Sequence, residues 1–331
     1  MLNSRVTKRR DSPFKRSTRK TSPHHLKFAL FSFAAPWERL MTEEEEEREE
    51  TWMVMREQER ETLPNVANID QQPEVGWELR PLLLDFLVQV HSHLGLLSET
   101  LHLAVNLMNR YMSRVIVTRK HYQLVGVTCL WLATKYEESA RVPRKRRLRV
   151  LCDNAYEERA FDRMEAHILA TIGWRVGAPT PEAFLRLIVE REGGMESREV
   201  LGVARFLMEV SLFHRGFVGV GACRVARACL AFARYILENE RVDDSLTGLV
   251  QLLDHCLCQV SRVVHDKYAS PAYECASVRV MRWADEGNRF VPIVVHGMPT
   301  PPMDRVWEHG RIWEKDGEEA DENMDPRQRL W

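Results

Sequence analysis

No apolar run in this 331-residue sequence reaches the roughly 18–20 residues that a membrane-spanning helix needs. Net charge is almost absent: 47 Lys and Arg against 48 Asp and Glu leave −1. No global field therefore draws the chain to nucleic acid or to a membrane surface. The seven cysteines (129, 152, 223, 229, 256, 258 and 275) form no CxxC pair. An odd, scattered set argues against a disulfide framework and a thiolate zinc site, and points to a reducing compartment.

Catalytic signatures are missing as well. There is no GxxxxGK[ST] phosphate loop, HExxH helix, GxSxG elbow, or kinase HRD or DFG set. The glycines of GFVGVG (216–221) lack the order of a dinucleotide loop and read as a connection between helices. His91 and His93 stand two apart, so on a helix they face different sides and suit no metal. Nothing pairs two carboxylates as acid and base. The reading is a protein without its own active site, metal or cofactor.

What the sequence does have is segregated. Residues 1–27 carry nine Lys and Arg against one acid, and residues 43–50 read EEEEEREE. Like charges in blocks repel and stay solvated, so residues 1–50 are expected to be a disordered arm, basic then acidic. Prolines draw the rest of the map. None lies between Pro81 and Pro143 or between Pro181 and Pro271, which permits long helices there. Pro179 and Pro181 flank Thr180 at an expected joint, and the Pro-, Gly- and charge-rich residues 287–331 read as a disordered tail.

Inside the clear stretches the apolar period is helical. Leu101, Val105, Met108 and Met112 form one stripe, with Ser98 as the expected N-cap. Tyr122 to Ala133 is apolar on nearly every side, as a central buried helix is. Phe161, Met164, Ile168 and Ile172 give another stripe, closed by Gly173. A second helical series follows at about 181–190, 198–214, 222–240 and 246–266. The class is all-α, with one helical half at 51–177, a lead-in helix included, and another at 178–286.

At residues 74–188 these pieces resemble a cyclin box: ELRPLLLDFLVQVH, ETLHLAVNLMNRYMS, HYQLVGVTCLWLATKYEE, LCDNAYEERAFDRMEAHILATIGW and APTPEAFLRL, in the family's order and spacing. FLMEVSLFHRGFVGVGACRVARACLAFAR and KYASPAY resemble the second repeat more weakly. The lead-in RETLPNVANIDQQPEVGWELRPLLLDFLVQVH is similar to that of fungal G1/S (Cln-like) cyclins. Mitotic B-type cyclins share the box, but residues 1–50 contain no RxxL destruction box.

The resemblance implies a cyclin-like fold of two helical repeats and a regulatory subunit that forms a heterodimer with a cyclin-dependent kinase. It implies no cofactor. Lys135 and Glu165 match the kinase-binding pair, with Tyr136, Trp174 and Val176 at apolar positions of that face. An internal Lys135–Glu165 pair is the competing reading. Leu79, Leu82, Leu83, Phe86, Gln89 and Gln123 match a groove for short apolar docking peptides of substrates or inhibitors, although a core stripe has the same spacing. The buried arginine of the family corresponds to Arg80. Its usual aspartate is replaced by Asn109, leaving Asp85 as another candidate partner.

The fourth helix departs too, reading PRKRRLRVLCD (143–153), five basic residues within seven positions. That run and the basic arm suggest a nuclear pool beside a cytoplasmic one. A cyclin-fold scaffold without activating capacity, or a nucleic-acid-binding transcription factor of the same fold, would be read from the same departures; no Cys pair precedes Cys129 to supply the latter's zinc ribbon.

Overall fold

The computed structural model describes residues 36–290, with side chains from Glu45 onward. The chain divides into two units, 1–45 and 46–331. Among the described residues every regular element is helical.

The first repeat is built round helix α5 (Arg119–Glu137), in which every residue from Tyr122 to Thr134 is buried. A helix apolar on all sides must be wrapped. α4 (Ser98–Met112), α3 (Arg80–Leu94) and α7 (Glu158–Thr171) do the wrapping. Gly126 permits the close approach of α3: a Cβ there would stand 2.9 Å from a methyl of Leu83. Short α6 (Lys145–Leu151) leans on α7 and sinks Leu148 into the core.

The second repeat centres on α10 (Ala222–Glu238), whose buried face is rich in small residues, Ala226, Ala228, Cys229 and Ala233. α8 (Pro181–Arg191), α9 (Arg198–Ser211), α11 (Thr247–Cys256), α12 (Arg262–Tyr268) and α13 (Ala276–Asp285) complete it. The expected joint is local chemistry: Thr180 Oγ1 accepts from the Ala183 amide at 3.2 Å, with Pro181 at the first helical position. One apolar core runs through both repeats.

Several expectations need correcting. Helix α1 (Pro36–Glu61), which the single turn α2 (Val66–Ile69) follows, begins inside the stretch read as a disordered arm. Glutamate is a good helix former, and Trp52 anchors the helix edge-on to Phe184 and beneath the Arg191 guanidinium. The last turn of α1 reaches the second repeat, where Glu59 Oε1 accepts from the Cys223 amide at 2.7 Å at the start of α10. A carboxylate is well placed at that positive helix end.

Ser98 does not cap α4. Leu97 holds the cap position, and Glu138, just past α5, accepts from its amide at 2.7 Å and from Thr100 Oγ1 at 2.6 Å. The single helix expected at 246–266 is two. Ser261 opens α12 by accepting from the Val263 amide, and a new N-cap ends the old helix. α13 lies beyond the last helix expected from the sequence. Of the expected tail, residues 291–331 lie outside the described residues, as do residues 1–35 of the arm.

A candidate partner-binding face

Lys135 occupies the last turn of α5 and Glu165 the middle of α7, helices that pack side by side. Lys135 Nζ donates to Glu165 Oε1 at 2.5 Å and Oε2 at 2.7 Å, and lies 3.4 Å from the centre of the Trp131 ring. In the free chain the two therefore pair with each other. They remain 34% and 19% exposed, so the pair is open on one side.

The apolar residues of this face gather at its edge. Tyr136, 59% exposed, lays its hydroxyl against Gly177, where a Cβ would come within 2.4 Å. Gly173 (φ +66°) and Trp174 (φ +60°) are consecutive left-handed residues. They end α7 in a reversal closed by the Trp174 amide on the Leu169 carbonyl at 2.8 Å, as a helix C-terminus requires. That reversal turns Trp174 outward, 72% exposed, while Val176 stays half-buried on the core. A glycine before an aromatic was the signal for the reversal; its direction was not in the sequence.

The six groove candidates, four of them at residues 79–86 in or just before α3, with Gln89 further along that helix and Gln123 on α5, separate. Leu83 is 1% exposed and packs on Gly126, and Gln123 is 6% exposed inside α5. Leu83 is thus corrected to the core, since the α3–α5 approach leaves no room beside it. Leu79, Leu82 and Phe86 are half-buried and Gln89 is exposed, which leaves a narrower apolar strip.

Arg80 is buried and donates from Nη1 to Asn109 Oδ1 at 2.8 Å and from Nε to the Leu212 carbonyl at 2.9 Å. Burial pushes its pKa down. Asp85 is not its partner: its carboxylate accepts from Ser261 Oγ of the second repeat. Five residues apart on a helix, Arg80 and Asp85 do not share a face. Burial raises the Asp85 pKa, against the pull of that hydrogen bond.

Sequence reasoning missed the carboxylates that bridge distant segments. Besides Glu59 and Glu138, Asp70 receives the Arg215 guanidinium at 2.7 and 2.5 Å and the Trp77 indole at 2.8 Å. Such pairs span 145 residues in one case, and no local pattern encodes them.

In the basic run, Lys145 is held by Asp162 at 2.7 and 3.0 Å, and Leu148 is buried. Arg144, Arg146, Arg147 and Arg149 are exposed.

Two family models match: the cyclin N-terminal domain over residues 50–177 and the cyclin C-terminal domain over 179–281. The chain is 38% identical over 211 residues to the G1/S-specific cyclin CCN1 of Candida albicans, covering 57% of this chain and 30% of that protein. It is 34% identical over 270 residues to the G2/mitotic-specific cyclin-B of Emericella nidulans, covering 78% and 55%. The aligned part thus spans about a third to a half of the length of these relatives. Among solved structures, a viral cyclin from herpesvirus saimiri matches at TM-score 0.50 and 16% identity, over 71% of this chain and all of that one. That likeness concerns the fold alone.

Proposed function

The chain belongs to the cyclin family, and we propose that it is a regulatory subunit which binds and activates a cyclin-dependent protein kinase at the G1/S transition. The observation that carries the reading is the face itself. A Lys–Glu pair open on one side stands beside two large aromatics, Tyr136 and Trp174, left in solvent. Exposed aromatics around a charged pair are the composition of a binding hot spot. On binding, Lys135 and Glu165 exchange each other for groups of the kinase.

Activation is a population shift. The subunit binds the active arrangement of the kinase better and so completes the partner's own Lys–Glu pair and metal site. ATP, magnesium and phosphoryl transfer belong to the kinase, and the subunit itself is not an enzyme. The strip of Leu79, Leu82, Phe86 and Gln89 holds substrate or inhibitor peptides and raises the local concentration of the linked phosphosite. The G1/S assignment draws support from the similarity to CCN1. The longer alignment with the mitotic cyclin-B favours the second reading, a G2/mitotic subunit. Co-purification from extract followed by a protein-kinase assay tests the activity, and abundance across a synchronised culture separates the two phases. A purified chain that captures no kinase overturns the proposal.

A nuclear pool beside the cytoplasmic one follows from the basic arm within residues 5–20. The 144–149 run is a weaker import signal, because Leu148 would have to leave the core before the segment could be read as an extended peptide. Deleting residues 1–27 is expected to lower the nuclear fraction, and an unchanged fraction removes the arm from the account.

A further inference from the structure

Three guanidinium groups converge beside Trp174, and nothing in the kinase reading uses them. Arg110 and Arg114 come from the end of α4 and the turn after it, and Arg175 follows Trp174. Together with Glu61, Thr171 and Gly173 they line one surface cleft. Each is oriented by a single anchored arm. Arg110 Nη2 donates to the Arg175 carbonyl at 2.6 Å, Arg114 Nη1 to the Thr171 carbonyl at 2.7 Å, and Arg175 Nη1 to Glu61 Oε2 at 2.5 Å. The carbonyls belong to the end of α7 and the turn beyond it, whose partial negative charge attracts cations.

That attraction accounts for one arm each of Arg110 and Arg114, and Glu61 for one arm of Arg175. Arg110 is only 3% exposed, and its Nη1 has no hydrogen-bond partner. Arg114 is exposed and Arg175 is 55% exposed, so the cleft is open to solvent. Three cations share it with one carboxylate. Burial, and after it the charges of Arg114 and Arg175, pull the Arg110 pKa down to about 10. Three guanidinium groups around one carboxylate, with an unpartnered Nη1 on the most buried of them, offer a place to an anion, and forked guanidinium donors fit the oxygens of a phosphate bidentately.

We infer that Arg110, Arg114 and Arg175 form a binding site for a phosphate group. The ligand class is a phosphate monoester or free phosphate. Glu61 competes with it for Arg175 and sets the affinity. The site does not depend on the kinase reading, since it lies wholly within this chain. It adjoins Trp174, so a phosphorylated side chain on a partner docked at that face would lie within its reach.

The test uses the full-length chain and inorganic phosphate, followed by phosphorus NMR and isothermal titration at fixed ionic strength, with chloride as the matched salt. A saturable site is expected. Arg114→Gln and Arg175→Gln should each weaken it about fivefold or more, and together abolish it. Two charge-assisted hydrogen bonds lost are ample for such a change. Glu61→Gln should tighten binding about two- to threefold, an effect that arginines serving only to cap α7 would not produce. Circular dichroism of each variant without phosphate checks that it is folded. A phosphothreonine peptide that binds over tenfold tighter than phosphate identifies a phosphorylated protein as the source; equal or weaker binding identifies free phosphate, and either result upholds the site. The inference is overturned if chloride competes equally, or if the double variant binds phosphate as the wild type does.

Discussion

Arg80 and Asn109 meet inside the first repeat at 2.8 Å, a buried cation on a neutral amide, while the same guanidinium reaches the Leu212 carbonyl in the second repeat at 2.9 Å. An amide accepts the hydrogen bond but leaves the charge uncompensated. A third arm, Nη2, has no partner.

Asn109→Asp is therefore expected to stabilise the fold. A hydrogen bond between charged groups contributes about 1 kcal/mol more than a neutral one, which for a chain of this size raises the Tm by about 2–4 °C. Calorimetry of the two proteins decides. A lower Tm for Asn109→Asp would mean that the desolvation of the added carboxylate outweighs the pairing.

Lys135→Ala and Glu165→Ala should separate binding from stability. The internal pair is partly solvated, and exposed pairs contribute about 0–1 kcal/mol to folding. Loss of one partner of a buried, hydrogen-bonded charge pair across an interface costs about 2–5 kcal/mol, roughly thirty- to several-thousand-fold in affinity. Each variant is expected to melt near the wild type and to lose co-purification with a kinase at micromolar concentration. A folded variant that activates the kinase normally removes the pair from the interface, and one that unfolds returns it to the core.

On α3, neighbouring leucines are expected to behave differently. Leu83→Ala opens a cavity against Gly126 and should cost about 2–5 kcal/mol. Leu82→Ala with Phe86→Ala should lower activity on a substrate that carries an apolar docking peptide, with activity on a bare phosphosite peptide retained. Melting curves beside the two kinase assays check this; equal loss on both substrates together with a lowered Tm would return the strip to the core.

His102 predicts acid lability. It is 4% exposed, and neither ring nitrogen has a partner. Burial holds its pKa down at about 4, against the pull of Glu209 and Glu182. Between pH 6.5 and about 4 the unfolded chain binds a proton that the folded one refuses. The contribution is thus present above pH 6.5 and lost as pH falls to about 4, up to about 3 kcal/mol in all. His91, also lowered by burial, acts in the same direction. Urea unfolding across that range should give a slope that His102→Gln reduces by about one proton; an unchanged slope excludes His102 as its source.

The sequence by itself determined the all-α class, the central helix at Tyr122–Ala133, the joint at Thr180 and the end of α7 at Gly173. Each is a local matter: a continuous apolar run needs wrapping, an N-cap acts within three residues, and a left-handed residue suits glycine. It also determined which residues were candidates for the face. Only the tertiary structure decided their surroundings. Leu82 and Leu83 carry the same side chain, and the close approach at Gly126 buries Leu83 while Leu82 stays half-buried. Lys135 and Glu165 are thirty residues apart, Arg80 and Leu212 more than a hundred. A side chain chooses between partners by distance in space, and sequence spacing reports that only within one helix. The same holds for Asp85, which turned from Arg80 on its own helix to Ser261 in the other repeat.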